Sequence, residues 1–217
     1  MIQLTPDESR VLGVLIEKAT TTPEQYPLSL NAVVNGANQK SNRDPVVSMT
    51  EDQCYAALES LREKGLVMRV DQSGSRVSKY RHTASETLHA RAGELAILAE
   101  LLLRGPQTLG ELRGRASRMS AMDSLDVVKD LLGALNERPE PFVKEIPPSP
   151  GSRAERWVQL FCAELHPNQM SAAATASAPQ AVTIDASLVE RVSTLEEEVR
   201  TLREGLRKLS EGLGVSE

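Results

Sequence analysis

The fold is decided by residues 50–81, with the sequence TEDQCYAALESLREKGLVMRVDQSGSRVSKYR. The first four residues form a capping box, in which Thr50 caps a helix and Gln53 bonds back to it. Gly65 is a typical residue for ending that helix. Two short runs of strand-forming residues follow at 67–70 and 76–81, separated by a Ser/Gly turn, and they predict a β-hairpin. A helix that leads into a hairpin is typical of the recognition helix and wing of a winged helix-turn-helix domain.

The residues before this stretch predict two more helices. Thr5, Pro6 and Glu8 combine a capping box with a proline at the first helical position. An apolar helical face then continues to residues 20–23, where the first helix is predicted to end. A second short helix is predicted over 28–38. The order helix, helix, helix, hairpin therefore predicts a winged helix-turn-helix domain over residues 1–83.

The same order recurs further along the chain. A leucine-rich helix ends at 104–106, a capping box at 108–111 opens a second helix, and a third stops before Pro139. Strands are predicted at 142–146 and 156–160. Apolar positions correspond between the two copies, pairing Leu12, Leu15 and Ile16 with Leu98, Leu101 and Leu102, Leu58 and Leu61 with Leu132 and Leu135, and Val67 with Val143. We therefore expect a second winged-helix domain over 84–166. The predicted fold class is mainly α with small β-hairpins (α+β), in two tandem winged helix-turn-helix domains and a C-terminal coiled-coil helix.

The C-terminal part of the sequence differs in composition from both copies. Residues 167–185 are rich in Ala, Ser, Thr and Pro and predict a flexible linker. A coiled-coil helix is predicted over 186–213, because apolar residues there alternate at spacings of four and three. This heptad seam consists of Leu188, Val192, Leu195, Val199, Leu202, Leu206, Leu209 and Leu213. Flanking charges favour a parallel homodimer, while pairing with another protein's helix and packing against the same chain remain alternatives.

Composition and charge exclude several classes of protein. The chain has 217 residues and a net charge of −5, and neither copy nor the C-terminal part is basic overall. No apolar run is long enough for a membrane span, and the N-terminus lacks a secretory signal pattern, so we expect a cytoplasmic protein without membrane contact. The two cysteines and three histidines show no ligand spacing, so we expect no metal and no cofactor. No catalytic triad or nucleotide-binding loop occurs, and we expect no enzymatic activity.

Four stretches carry a family resemblance: NQKSNRDPV at 38–46, ALESLREKGLV at 57–67, RGPQTLGELRGR at 104–115 and PFVKEIPPSPGSR at 141–153. On these stretches the chain resembles the YceH-like family of bacterial proteins over roughly residues 3–165, and 38–46 is the most specific of them. The resemblance implies tandem winged-helix architecture. It supplies no activity.

The first functional hypothesis is regulatory binding of double-stranded DNA through phosphate contacts, with ordinary solvated charge as the alternative for the same residues. Such contacts come from basic side chains on loops and wings. The candidates are Lys40 and Arg43 in the loop before the third helix, Arg76, Lys79 and Arg81 on the first wing, and Arg113, Arg115 and Arg118 on or just after the second helix of the second copy. The outward stripes of both third helices are net negative, which argues against reading of base sequence.

The alternative hypothesis is a non-enzymatic scaffold that binds other proteins through tandem winged helices and dimerises through the coiled coil. This hypothesis rests on analogy of fold. The surface over the third helices discriminates between DNA binding and the protein scaffold. An exposed apolar patch there favours protein binding, and a continuous basic stripe favours DNA.

Overall fold

The structure is a computed structural model of the chain, and it describes residues 2–71, 77–149, 151–165 and Arg200. The helices are α1 (Pro6–Thr21), α2 (Leu30–Ala37), α3 (Glu51–Glu63), α4 (Ala84–Thr87), α5 (Ala92–Arg104), α6 (Leu109–Ala116) and α7 (Leu125–Asn136). The strands are β1 (Leu28–Ser29), β2 (Val67–Val70), β3 (Lys79–His82), β4 (Gln107–Thr108), β5 (Val143–Ile146) and β6 (Arg156–Gln159). Short 3₁₀ turns lie at Pro23–Gln25 and Ala163–Leu165. The fold is therefore of the predicted α+β class, with small antiparallel sheets.

The predicted helix starts are confirmed by their caps. The amide of Glu8 donates to Thr5 Oγ1 at 3.2 Å, and the Glu8 carboxylate accepts from the Thr5 amide at 2.7 Å. The same reciprocal pair opens α3 at Thr50 and α6 at Thr108. Each box satisfies amides that the first helical turn leaves without an intrahelical partner.

Each half of the described chain forms a three-stranded antiparallel sheet, in the order β1-β3-β2 and β4-β6-β5. The second predicted helix is corrected here, because it begins at Leu30 rather than Leu28. Leu28 and Ser29 instead pair with Tyr80 and Lys79 of β3. Strands of two residues carry no alternation that a sequence pattern could reveal.

We call α1 to β3 the first repeat and α5 to β6 the second repeat. In the first repeat, Lys64 contacts the capping Glu8 at 2.6 Å and donates to the carbonyl oxygen of Gln3 at 3.0 Å. In the second repeat, Arg138 makes the two equivalent contacts. It lies 3.0 Å from the capping Glu94 and donates to the carbonyl oxygen of His89 at 3.1 Å. The internal repetition of the sequence is therefore matched by equivalent ion pairs.

The first helices of the two repeats pack against each other. Every residue from Glu8 to Glu17 and from Glu94 to Leu103 is buried, so α1 and α5 are covered on all sides. Gly13 permits the close approach, because a β-carbon there would lie 2.9 Å from Leu103 Cγ. The two repeats thus share one hydrophobic core.

The predicted linker, the coiled-coil helix with its eight seam residues from Leu188 to Leu213, and Arg76 on the first wing lie outside the described residues. Those predictions stay predictions. Within the described part of the chain, no helix is long and apolar enough to cross a bilayer.

Candidate binding surfaces

Arg43, which was predicted to hold phosphate, is buried within the first repeat. Its side chain has 0% exposure and its Nη2 atom lies 2.6 Å from Glu17 Oε2. The same guanidinium donates to the carbonyl oxygen of Gly36 at 3.1 Å and to Gln39 Oε1 at 2.8 Å. A guanidinium with these partners and no accessible surface offers no donor to a phosphate.

Arg118 extends this cluster into the second repeat. Its Nη2 atom lies 2.6 Å from Glu17 Oε1 and 2.7 Å from Glu100 Oε1, and Arg104 also pairs with Glu100 at 3.2 Å. Burial by itself would raise the pKa of Glu17, but hydrogen bonds and charge from Arg43 and Arg118 bring it below its ordinary value. Arg118 therefore contributes to the contact between the repeats. Part of the guanidinium that was predicted to bind phosphate already pairs with carboxylates there.

The loop at 38–46 lies within the first repeat and is hydrogen-bonded to α5 of the second repeat. The Asp44 amide donates to the carbonyl oxygen of Leu103 at 2.9 Å, and Arg104 donates to Asn42 Oδ1. Asn42 has a φ of 61°, a left-handed conformation that asparagine tolerates better than most residues. The stretch that carries the most specific part of the family resemblance therefore contributes to the packing between the repeats.

The other two arginines predicted in the second repeat also serve internal contacts. Arg113 donates to the carbonyl oxygens of Met122 and Asp123, at 3.4 and 3.1 Å. Arg115 pairs with Glu111 at 3.2 Å and donates to Gln107 Oε1 at 2.8 Å. These side chains fix α6 to its neighbours and form no continuous basic stripe.

The remaining described candidates are Lys40 in its loop and Lys79 and Arg81 on β3. Lys79 and Arg81 alternate along β3, so they share a face of the sheet. Arg81 lies 3.9 Å from Glu86 and donates to Met68 Sδ at 3.6 Å. Lys40 is exposed in its loop. Within the described residues, neither Lys40 nor Lys79 has an ion pair.

The outward face of α3 combines acidic and apolar side chains. Tyr55 is 45% exposed, and Glu59 is paired with Arg62 on the next turn. Beside the helix, Met68 of β2 is 46% exposed. Tyr55 and Met68 are thus exposed apolar side chains, one on the helix and the other on the neighbouring strand.

The outward face of α7 has the same character. Leu125 is 46% exposed and Val127 is 38% exposed, next to Asp126. Leu125 is the first residue of the helix and lies outside the buried stripe that begins at Val128 and continues at Leu132. The exposed apolar residues at 125 and 127 were missed, since a helical pattern does not show which apolar residues the neighbouring elements leave uncovered.

Neither thiol nor metal chemistry is supported by the described residues. Both cysteines are buried free thiols, and burial raises the pKa of Cys54 to about 11. Cys54 is therefore protonated at neutral pH and packs as an apolar side chain. Among the described residues, no group of three or more His, Cys, Asp or Glu could hold a metal ion.

Comparison with known proteins places these features in a family. The profile described as "Protein of unknown function, DUF480" matches residues 4–152, from before α1 to beyond β5. A UPF0502 protein of Citrifermentans bemidjiense is 52% identical over 165 residues, which is 76% of each chain. A UPF0502 protein of Geobacter sulfurreducens is 45% identical over 196 residues, covering 90% of this chain and 88% of the relative. One of Shewanella halifaxensis is 42% identical over 200 residues, covering 90% and 93%. The resemblance found in the sequence is confirmed, and the chain belongs to the DUF480 family of bacterial proteins.

Proposed function

We propose that this protein is a non-enzymatic, tandem winged-helix scaffold that binds other proteins through the outward faces of α3 and α7. Each repeat has three main helices and a three-stranded antiparallel sheet, which supports a winged helix-turn-helix assignment for each. In this assignment, the hairpins β2–β3 and β5–β6 are the wings. The third helices α3 and α7 occupy the recognition position.

One observation carries the proposal. Four of the arginines predicted to hold phosphate already bind groups of the same chain, whereas the recognition-position helices present acidic and exposed apolar side chains. Arg43 is buried, and Arg113, Arg115 and Arg118 bind carbonyl or carboxylate oxygens of the same chain. Acidic side chains on a helix that entered the major groove would be repelled by phosphates.

The exposed apolar residues favour a protein partner directly. Tyr55 and Met68 in the first repeat, and Leu125 and Val127 in the second, lie on or beside the recognition-position helices. Aromatic residues and methionine are enriched in protein interfaces relative to other surfaces. The heptad seam at 188–213 adds a proposed parallel homodimer, which would present two such pairs of surfaces to a partner.

Site-specific photocrosslinking in the native host tests the proposal. A benzoylphenylalanine at position 55 or 127 should give discrete protein adducts that survive nuclease treatment. The matched control is the same crosslinker at Asn31, which is exposed on α2 and outside the proposed faces. Adducts at all three positions, or adducts removed by nuclease at 55 and 127, would contradict protein binding by these faces.

Nucleic-acid binding by the first wing is a second candidate. It is favoured by Lys40 and Lys79, which have no ion pair within the described residues, and by Arg81 on the same strand as Lys79. Such contacts would be to phosphates and would carry little sequence information. The salt dependence of duplex binding separates this candidate from the scaffold.

A further inference from the structure

Strand β2 has an open edge. It pairs only with β3, because the sheet has the order β1-β3-β2. The Thr83 amide donates to the carbonyl oxygen of Leu66 at 2.9 Å, in register with the ladder that pairs Val67 with His82. Hydrogen-bonded and non-hydrogen-bonded pairs alternate along an antiparallel ladder. Val67 and Arg69 therefore direct their amide and carbonyl groups away from β3. Within the described residues, no other hydrogen bond satisfies them on that side.

The open edge borders a groove of about 580 Å³ between β2 and the C-terminal half of α3. Glu59, Arg62 and Glu63 line the groove from the helix, and Arg69 lines it from β2. Arg62 is paired with Glu59 and Arg69 is paired with Asp71, so these charges are compensated. Glu63 is exposed and has no ion pair within the described part of the chain. Glu63 is therefore the carboxylate that remains to pair with a basic side chain.

The two faces of β2 differ. Side chains alternate along a strand, so Val67 and Arg69 point to the α3 side and Met68 points to the other. Met68 lies beside Arg81 on that outer face, where it is 46% exposed. An added strand would therefore meet the unpaired carboxylate of Glu63 on one face and an apolar side chain on the other.

The corresponding edge in the second repeat is protected. Strand β5 is also an edge strand, and its central residues are Lys144 and Glu145. Prolines at 141 and 147 bracket it. Charged residues and prolines are the devices by which proteins block pairing at sheet edges. In β2, the only charged residue is Arg69, which is already paired with Asp71 at 3.0 Å. The difference between otherwise equivalent edges marks β2 as the one left open for pairing.

We propose that the edge of β2 binds an extended segment of a partner protein as a fourth strand of the first sheet. The segment alternates basic side chains, directed at Glu63, with apolar side chains beside Met68. This inference rests on the proposed scaffold function and names the docking mode and the partner's chemistry. Backbone pairing at a sheet edge supplies affinity in such complexes, and alternate side chains supply specificity.

A synthetic hexapeptide tests the inference on the full-length chain. The probe is N-acetylated, C-amidated KVRVKV, and its control is EVEVEV with the same end groups. Titration of ¹⁵N-labelled protein with KVRVKV should shift the amide resonances of Val67 and Arg69 with a Kd of roughly a millimolar or tighter, and EVEVEV should leave them unchanged. Methylation of alternate amides in KVRVKV should weaken binding at least tenfold, because it removes the donors that pair with β2.

Proline substitution separates backbone pairing from side-chain contact. Arg69→Pro deletes an amide that points away from β3, and therefore leaves the β2–β3 ladder in place. We expect Arg69→Pro to abolish the shifts and Arg69→Ala, which keeps the amide, to retain binding within threefold. Glu145→Pro makes the corresponding change in β5 and should leave binding unchanged.

Three results would overturn the inference: no shifts with KVRVKV at several times the expected Kd, equal binding of the methylated peptide, or shifts centred on β5. Crosslinking at positions 55 and 127 remains a separate test. Adducts there without peptide binding would refute the strand addition and leave the scaffold function standing. Absence of both would refute the two proposals together.

Discussion

Arg118 of the second repeat reaches Glu17 of the first repeat, with 2.6 Å between Nη2 and Oε1. Glu17 is 1% exposed, and its other oxygen is held by Arg43. One buried carboxylate therefore connects a helix of the first repeat, a loop of the same repeat and the end of α6 in the second. The stability of the contact between the repeats depends on this residue.

Replacement of Glu17 by glutamine should lower the free energy of unfolding by about 3 kcal/mol. The cause is the buried charge of Arg43, which loses its counter-ion, since breaking a buried pair from one side is strongly destabilising. Urea denaturation of the full chain measures the loss. Glu63→Gln is the control and should change stability by less than about 0.5 kcal/mol, because Glu63 is exposed. A loss below roughly 1 kcal/mol for Glu17→Gln would show that water or another donor replaces the carboxylate.

Stability should fall in mild acid. Burial alone would raise the pKa of Glu17, but its arginine partners hold the pKa below that of an unfolded glutamate, which is about 4.3. Glu8 behaves likewise, because hydrogen bonds from Lys64 and Ser60 outweigh burial and lower its pKa. Between the folded and unfolded pKa values the unfolded chain binds more protons, so the free energy of unfolding decreases as pH falls through this range. Urea midpoints measured from pH 7 to pH 3 should show this decline, and the Glu17→Gln variant should show a shallower one. If the urea midpoint of that variant declines with pH as steeply as that of the parent chain, Glu17 does not cause the decline.

Alanine should have opposite effects at two helical glycines. Gly13→Ala should destabilise the protein by about 1–3 kcal/mol, because the new β-carbon would overlap Leu103 in a packed core. Gly133→Ala should stabilise it by about 0.5–1 kcal/mol, since no atom lies within 4 Å of that position and alanine favours the helix. Thermal unfolding of both variants provides the comparison. Stabilisation by Gly13→Ala would mean that the contact between α1 and α5 is looser than the distances indicate.

Duplex DNA should bind weakly. We expect fluorescence anisotropy with a labelled random duplex to show no saturable binding at about 50 mM salt, because most of the candidate arginines are engaged internally. Steep, salt-dependent binding that disappears in the combined variant Lys40→Ala, Lys79→Ala and Arg81→Ala would instead establish the first wing as a nucleic-acid surface.

The full chain should be a dimer. Light scattering after size-exclusion chromatography should give twice the chain mass of 23.6 kDa. Leucine at positions 195 and 202 lies on the predicted heptad seam, so changing both to lysine should give monomers. Helical content should then fall while the two repeats keep their unfolding transition. A monomeric parent chain would refute pairing in trans.

Local signals in the sequence were sufficient for much of the fold. Three helices begin at capping boxes, in which the threonine side chain and the residue three positions later bind each other's backbone amides. This arrangement involves only neighbouring residues, at Thr5, Thr50 and Thr108. The hairpins were also predictable, since their strands and turns are contiguous. The strands at 28–29 and 107–108 were not, because their only evidence is pairing with a strand about fifty residues away.

Arg43 shows why the candidate surface was harder to predict. A basic residue in a polar loop is typical of a solvated or phosphate-binding position, and nothing near it in the sequence indicates its partner. The signal that could have found the partner lies elsewhere. Glu17 and Glu100 are carboxylates within helices that are otherwise mostly apolar and buried, and a buried carboxylate requires a cation or hydrogen-bond donors.

The burial of the central turns of α1 and α5 has a consequence for how the chain can be divided. A fragment that ended after β3 would uncover the side of α1 that faces α5, and a fragment that began at α4 would uncover the leucines of α5. Either half on its own would be insoluble or would associate with itself. The two repeats are therefore expected to fold and remain stable only together.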